Sequence, residues 1–255
     1  MSTTQVLGDA AFASPGRSHS SLTARIDALP ASVGLWSFIT LLALGGFFEL
    51  YELFQTGYIS TGLLAENIFH TGEQGIFGIS DQAAFASSTF MGLFIGASLL
   101  APLADKLGRR LTFMFALAWY GVFSLMMALQ SSAEGVIFCR FLVGIGLGIE
   151  LVTIDTYLSE WVPTHLRNKT FAFAFFIQFL SVPAVALMSW MLVPITLFGL
   201  TGWRWVIIFG ALCSLIIWVI RKKLPESARW LEEKGRHDEA HKVMCEKIGR
   251  ASCRE

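Results

Sequence analysis

Six long apolar runs limit what this chain can fold into. They lie near residues 35–60, 84–104, 111–130, 135–158, 171–193 and 203–220. Each is close to the roughly 20 residues that a helix needs to cross a hydrocarbon layer of about 30 Å. Because the chain is 54% hydrophobic and only 15% charged, the runs predict an all-α integral membrane protein built as a six-helix bundle.

The distribution of basic residues predicts how the runs are oriented. Lys and Arg are concentrated after the second, fourth and sixth runs, and the loops on the other side contain few of them. By the positive-inside bias, the basic loops and both termini are expected in the cytoplasm, with the protein in the plasma (cytoplasmic or inner) membrane. The basic positions are Lys106, Arg109, Arg110, Arg167, Lys169, Arg221, Lys222 and Lys223.

The same pattern divides the chain into four parts. These are a cytoplasmic tail over 1–32, the six-helix bundle over 33–220, an amphipathic cytoplasmic linker helix over 221–247 and a tail over 248–255. The first thirty residues lack an apolar core followed by a cleavage site, so no cleaved signal peptide is expected. The last eight residues resemble a translated sequencing adapter, which indicates a truncated gene model.

Ionisable residues inside apolar runs are costly, so each is a functional candidate. With a rise of about 1.5 Å per residue, Glu49 and Glu52 in the first run reach a depth similar to that of Arg140 in the fourth. Arg140 is therefore expected to pair with Glu52 or Glu49, since a carboxylate supplies both charge compensation and hydrogen bonds. Such a pair can serve proton coupling, or it can be a static pair that holds two helices together.

Three further positions leave their roles open. Glu150 is expected nearer the cytoplasm, either lining an inner vestibule or extending to water, and Asp155 is expected at the interface. Gln178 faces either a cavity or a neighbouring helix. Ser181, Pro183 and Pro194 predict a bend in the fifth run, because proline removes a backbone hydrogen bond.

The connection after the second run carries a motif. Between Ala101 and Arg110 it contains a charged, glycine-bearing turn, and this turn resembles the signature loop of the major facilitator superfamily, although Ala101 replaces the usual first glycine. The matching positions are Asp105, Lys106, Gly108, Arg109 and Arg110.

Two further segments resemble the sugar-porter-like branch of that superfamily. The fourth run combines Arg140 with Gly144, Gly146 and Gly148, and the segment after the sixth run reads PESARWL. The resemblance implies the amino-terminal half of a 6+6 transporter, whose partner is the missing carboxy-terminal half. It also implies a cytoplasmic gating network formed by Glu160, Arg167, Glu226 and Arg229.

The resemblance also bears on coupling and substrate. Proton-coupled relatives carry an aspartate where this chain has Glu52, beside Tyr51, which is a possible substrate-cavity residue together with Gln178 and Glu150. Relatives that bind hexoses or pentoses tend to carry glutamines where this chain has Phe175 and Val182. Sugar, polyol and organic acid therefore all stay open as substrate classes.

These observations predict a secondary active transporter, with proton-coupled symport of a small polar solute by alternating access. The alternatives are a proton-independent uniporter or exchanger of the same fold, and a membrane solute receptor that does not transport. The expected partners are the substrate, protons and the lipid bilayer.

Other classes of protein fit the sequence poorly. The formal net charge is zero, so no nucleic-acid partner is expected. Neither a nucleophile elbow nor a phosphate-binding glycine loop is present, and the four cysteines have no metal-ligand spacing. We therefore expect no enzyme activity, no catalytic residues, no cofactor and no metal site.

Overall fold

The computed structural model describes residues 32–70, 75, 78–100, 103–222 and 224–248, which are largely helical. Apart from their inner ends, the tails over 1–32 and 248–255 lie outside the described residues, as do Ala101 and Lys223. The helices are α1 (Val33–Ala65), α2 (Asp81–Ile95), α3 (Leu103–Leu107), α4 (Arg109–Ala128), α5 (Ala133–Trp161), α6 (Arg167–Phe179), α7 (Ser181–Leu192), α8 (Gly202–Arg221), α9 (Ala228–Glu233) and α10 (His237–Ile248).

Short elements complete the chain. A π-helical turn over Gly96–Leu100 follows α2, and a 3-10 turn over Thr164–Leu166 precedes α6. Before α8, strands β1 (Thr196–Leu197) and β2 (Leu200–Thr201) pair antiparallel. The turn between these strands is made by Phe198 and Gly199, both with positive φ, as two-residue hairpins require.

Each of the six apolar runs forms helix. Among the described residues, five helical segments are long and apolar enough to cross a membrane. They are α1, α4, α5, α8 and Thr164–Leu192, which contains both α6 and α7. The second predicted span consists of α2, which has 15 residues, and the π-helical turn that continues it. The change from α-helix to π-helical turn after Ile95 could not be predicted from the apolar run alone.

Local sequence sets where these helices begin and bend. The hydroxyls of Ser32, Ser80 and Ser132 each accept a hydrogen bond from the backbone N–H three residues later, which caps α1, α2 and α5. The fifth span is interrupted at Leu180, between α6 and α7. Pro183 lies three residues further on and has no N–H to bond the preceding turn, so the structure interrupts the helix in the run where a bend was predicted.

Helix α5 lies centrally and packs against α2 on one side and α4 on the other. Glycines let α2 and α5 approach at backbone distance: a Cβ atom on Gly144 would lie 3.2 Å from the Cα atom of Gly92, and one on Gly148 would lie 2.8 Å from the backbone nitrogen of Ala97. Small residues at helix crossings are typical of membrane bundles. This close packing brings side chains of α5 up to α1 and α2.

The outer surface of the bundle carries large apolar side chains. Phe94 is 68% exposed, Phe176 64% and Trp190 75%. Such a surface is unfavourable in water and suits contact with lipid or with another apolar bundle.

Candidate functional site

Arg140 of α5 and Glu52 of α1 form an ion pair in the interior of the bundle. Arg140 Nη1 lies 3.6 Å from Glu52 Oε2, and both side chains are 0% exposed. The predicted pairing is therefore confirmed for Glu52, and the two residues lie at the same level of the bundle. Glu49 is also buried, but it lies among the charges of Glu150, Asp155 and Arg221 instead.

The guanidinium of Arg140 joins three helices. Its Nη2 donates to the backbone oxygens of Glu52, at 2.5 Å, and Leu53, at 3.2 Å, and also to the hydroxyl of Thr56, all in α1. Its Nε donates to Thr89 Oγ1 of α2 at 3.0 Å. Among the described residues, Nη1 has no hydrogen-bond partner. The pair thus has one unused donor next to the carboxylate.

Polar neighbours hold the carboxylate of Glu52. Ser124 of α4 donates from its hydroxyl to both carboxylate oxygens at 3.0 Å, and the side-chain amide of Gln55 donates to Oε2. Both neighbours are fully buried. The sequence analysis did not single out Ser124, Gln55 or Thr89, although each is a polar residue inside an apolar run and could have been found on that ground.

A second buried ion pair lies nearer the other end of α5. Arg221, the last residue of α8, places Nη1 3.1 Å from Oε1 of Glu150, and both side chains are 0% exposed. This corrects both placements considered for Glu150, which neither lines a vestibule nor extends to water. It also corrects the placement of Arg221 in an exposed basic loop.

The two remaining cavity candidates are core residues of the bundle. Tyr51 is 1% exposed and its hydroxyl donates to the backbone oxygen of Val206 in α8 at 3.2 Å. Gln178 is 7% exposed and packs on Gly46 of α1. Of the two orientations considered for Gln178, the structure has the one toward a neighbouring helix. A substrate-cavity role for either residue stays a prediction.

The charged motif residues gather at one end of the bundle, here called the basic end and defined by Asp105, Arg109, Arg110, Glu160 and Glu226. Arg109 contacts Asp105 one turn earlier, and its Nη2 lies 3.1 Å from Oε1 of Glu160. The backbone N–H of Arg110 donates to Glu226 Oε1 at 3.1 Å. This joins the first turn of α4 to the segment after α8.

Gly108 makes that junction possible. Its φ is +105°, and a Cβ atom there would lie 2.6 Å from Oε2 of Glu226, so both conformation and space favour glycine. Trp230 of α9 donates from its indole N–H to the backbone oxygen of Asp105 at 3.0 Å. Lys106 is exposed on the outside of the same turn.

The contacts at the basic end differ in detail from the expected network, whose gating role stays a prediction. Among the described residues, the ion pair of Glu160 is with Arg109, and no ion pair joins the expected acids to Arg167 or Arg229. Arg167 instead donates to the backbone oxygen of Ser159 at 3.3 Å. Burial raises the pKa of Glu226, while the N–H groups of Arg110 and Ser227 that donate to it act in the opposite direction.

Comparison with known proteins gives consistent matches. The sequence model of the family described as "Sugar (and other) transporter" matches residues 38–252. The niacin transporter NiaP of Acinetobacter baylyi is 29% identical over 88% of this chain and 48% of its own length. The 4-hydroxybenzoate transporter PcaK of Pseudomonas aeruginosa is 31% identical over 84% of this chain and 45% of its own length.

A solved structure has the same fold. The xylose transporter XylE from E. coli, in a partially occluded inward-open conformation, superposes with a TM-score of 0.73 at 19% identity. The superposition covers 84% of this chain and 55% of XylE. The chain thus spans about half the length of the curated relatives that it matches, and about half of XylE.

Proposed function

The chain belongs to the sugar (and other) transporter family, and we propose that its protein is a proton-coupled symporter that moves a small polar solute by alternating access. The observation that carries this proposal is the ion pair of Glu52 and Arg140, fully buried between α1 and α5. Intramembrane ion pairs usually mark substrate or ion pathways. XylE, which shares the fold, is described as a proton:xylose symporter.

Glu52 is the proton acceptor in this proposal. When it binds a proton, the negative charge opposite Arg140 is lost, while the guanidinium stays charged because arginine does not deprotonate in proteins. Arg140 then keeps its bonds to the α1 backbone and to Thr89 but lacks a counter-ion. A buried charge without a counter-ion is unfavourable, so proton binding favours a rearrangement of α1 against α5.

The substrate class follows less directly. Two relatives are named for niacin and 4-hydroxybenzoate, and XylE is named for xylose. 4-Hydroxybenzoate is an organic acid, and a carboxylate could serve as counter-ion for Arg140 once Glu52 is protonated. We therefore place organic acids before sugars and polyols as the solute.

The basic end supplies the gate in this proposal. It faces the cytoplasm in the plasma membrane, and its contacts among Asp105, Arg109 and Glu160 hold the cytoplasmic side closed. A second bundle of the same protein would complete the transport path, since transporters of this kind bind their solute between two related halves. The linker over 221–247 would connect the halves.

The test is uptake by cells that make the whole protein. External pH is recorded while xylose, niacin or 4-hydroxybenzoate is added, with Glu52→Gln as the variant and the exposed Glu134→Gln as its matched control. Proton entry that follows one solute, is lost in Glu52→Gln and persists in Glu134→Gln supports symport. Equal uptake in all three proteins without proton movement would show a uniporter or exchanger of the same fold. Binding without uptake would show a receptor.

A further inference from the structure

A second group of ionisable side chains lies inside the bundle around Arg221. The helix α8 ends at this residue, yet its guanidinium is 0% exposed and is held inside the bundle. Its Nη2 donates to the backbone oxygen of Leu42 in α1 at 2.6 Å, and its Cζ lies 3.9 Å from the ring centre of Phe113. Gly45 leaves the space that the guanidinium occupies. Arg221 is therefore fixed between α1, α4 and α5.

Two carboxylates lie near this one guanidinium. Glu150 pairs with it directly, but the second carboxylate oxygen, Oε2, has no hydrogen-bond partner among the described residues. Glu49 follows Gly45 by one helical turn, which places it on the same face of α1. It is 3% exposed, and its Oε1 is also without a partner in the described part of the chain.

A tyrosine completes the group. The hydroxyl of Tyr120 in α4 is fully buried and lies close to the carboxylate of Glu150, outside regular hydrogen-bond geometry. It lies in the field of Glu49, Glu150 and Arg221. The ionisable groups that act on members of this cluster are Glu49 and, through Tyr120, Glu52 of α1, Tyr120 of α4, Glu150, Asp155 and Tyr157 of α5, and Arg221 of α8.

The charges of this cluster do not balance unless a proton is bound. Ionised Glu49 and Glu150 together carry two negative charges, and Arg221 carries one positive charge. Asp155, where ionised, adds to the negative excess. A net charge buried in a low-dielectric interior is strongly unfavourable. We propose that Glu49 and Glu150 share one proton beside Arg221 and so form a second proton-binding site in the bundle.

The ligand is a proton rather than a metal ion or an anion. The described residues contain no group of three or more His, Cys, Asp or Glu side chains arranged to hold a metal. The guanidinium of Arg221, which pairs with Glu150, would repel a metal cation, and the carboxylates would repel an anion. The unpartnered oxygens of Glu49 and Glu150 are suited to a shared O–H donor.

The site lies between the first ion pair and the basic end. Glu150 is about 15 Å along α5 from Arg140, on a rise of about 1.5 Å per residue. Arg221 directly precedes the segment that carries Glu226 and its bond to Arg110. A proton bound here therefore changes the charge beside the C-terminal end of α8. The chain that leaves this helix end carries Glu226, which contacts the basic end. This inference goes beyond the proposed function and does not depend on coupling at Glu52.

Infrared spectroscopy tests the proposal without a transport assay. The purified protein in lipid nanodiscs should show, at neutral pH, the C=O band of a protonated buried carboxyl that shifts in deuterated water. Glu49→Gln and Glu150→Gln should each remove the band, because the remaining acid then pairs with Arg221 as a carboxylate. Arg221→Met should roughly double it, since neither acid keeps a counter-ion. Glu134→Gln is the matched exposed control and should leave the band unchanged.

Other outcomes would overturn the proposal. No such band in the unsubstituted protein would mean that the cluster holds no proton. Loss of the band in Glu52→Gln, with retention in Glu49→Gln and Glu150→Gln, would place the proton at the first ion pair. Loss in only one of Glu49→Gln and Glu150→Gln would assign it to that acid alone and exclude sharing. Circular dichroism of each variant, with helix content equal to that of the unsubstituted protein, ensures that the bands compare folded proteins.

Discussion

Arg140 Nη1 lies 3.6 Å from Glu52 Oε2, with neither side chain exposed. The same guanidinium donates to the backbone oxygen of Glu52, so it contacts both the side chain and the main chain of one residue. Removing either partner leaves the other charge buried without compensation. The pair therefore matters for stability as well as for the proposed coupling.

We expect Arg140→Met to lower the free energy of unfolding by about 3–5 kcal/mol, because Glu52 is then a buried carboxylate without its counter-ion. The double variant Arg140→Met with Glu52→Gln should recover part of this loss, since no charge is left unpaired. Denaturant unfolding in mild detergent measures both. A double variant no more stable than the single one would show that the hydrogen bonds of Arg140, rather than charge balance, dominate.

The glycine contact between α2 and α5 gives a second prediction. A Cβ atom on Gly92 would collide with the backbone oxygen of Phe141 and lie 3.0 Å from the Cα atom of Gly144. Gly92→Ala should therefore destabilise the protein by about 1–3 kcal/mol, as overpacking does. Gly57 lies in α1 with nothing within 4 Å of a Cβ atom there, and Gly57→Ala should stabilise by about 0.5–1 kcal/mol. Thermal unfolding of the two variants should shift in opposite directions; equal shifts would contradict the packing argument.

Much of the fold was predictable because apolar length and helical rise are local properties of the sequence. The six runs predicted the helices, the prolines of the fifth run predicted a bend within it, and the rise per residue predicted that Arg140 meets an acid of α1. The family resemblance favoured Glu52 over Glu49 as the coupling acid, whereas the partner of Arg140 stayed open between the two. These inferences needed no knowledge of tertiary packing.

The second ion pair was not predictable in the same way. An arginine at the end of a span usually extends to water, and nothing in the sequence marks Arg221 as turning inward to Glu150. Its acceptors also include the backbone oxygen of Leu42, and a carbonyl is present at every residue. The α2 ending in a π-helical turn likewise depends on its packing against α5, since the apolar run itself continues.

Docking of α9 at the basic end gives a third prediction. Trp230 donates its indole N–H to the backbone oxygen of Asp105 at 3.0 Å, and Trp230→Phe removes that donor together with part of a buried ring. A lost hydrogen bond of about 1 kcal/mol corresponds to a roughly fivefold larger population of undocked linker. Tryptic cleavage after Lys234 or Arg236 should speed up by at least that factor, because the lost ring atoms weaken the packing of α9 further. Trp190→Phe, at an exposed tryptophan, should cleave at the original rate, and equal rates in both variants would show that the indole bond does not hold α9.

The pH dependence of stability at Glu226 gives the last prediction. Burial raises the pKa of this carboxyl, so the folded protein holds its proton more tightly than the unfolded chain does. The group therefore contributes stability that is fully present below its unfolded pKa and is lost as pH rises through the folded pKa.

Glu226→Gln keeps a carbonyl oxygen for the N–H groups of Arg110 and Ser227, and removes the titration. Between about pH 4 and about pH 8, spanning the usual carboxyl range, its melting temperature should fall less than that of the unsubstituted protein, whereas the exposed control Glu134→Gln should follow the unsubstituted protein. A steeper fall in Glu226→Gln would mean that the ionised carboxylate stabilises the basic end, with the donated N–H bonds outweighing burial.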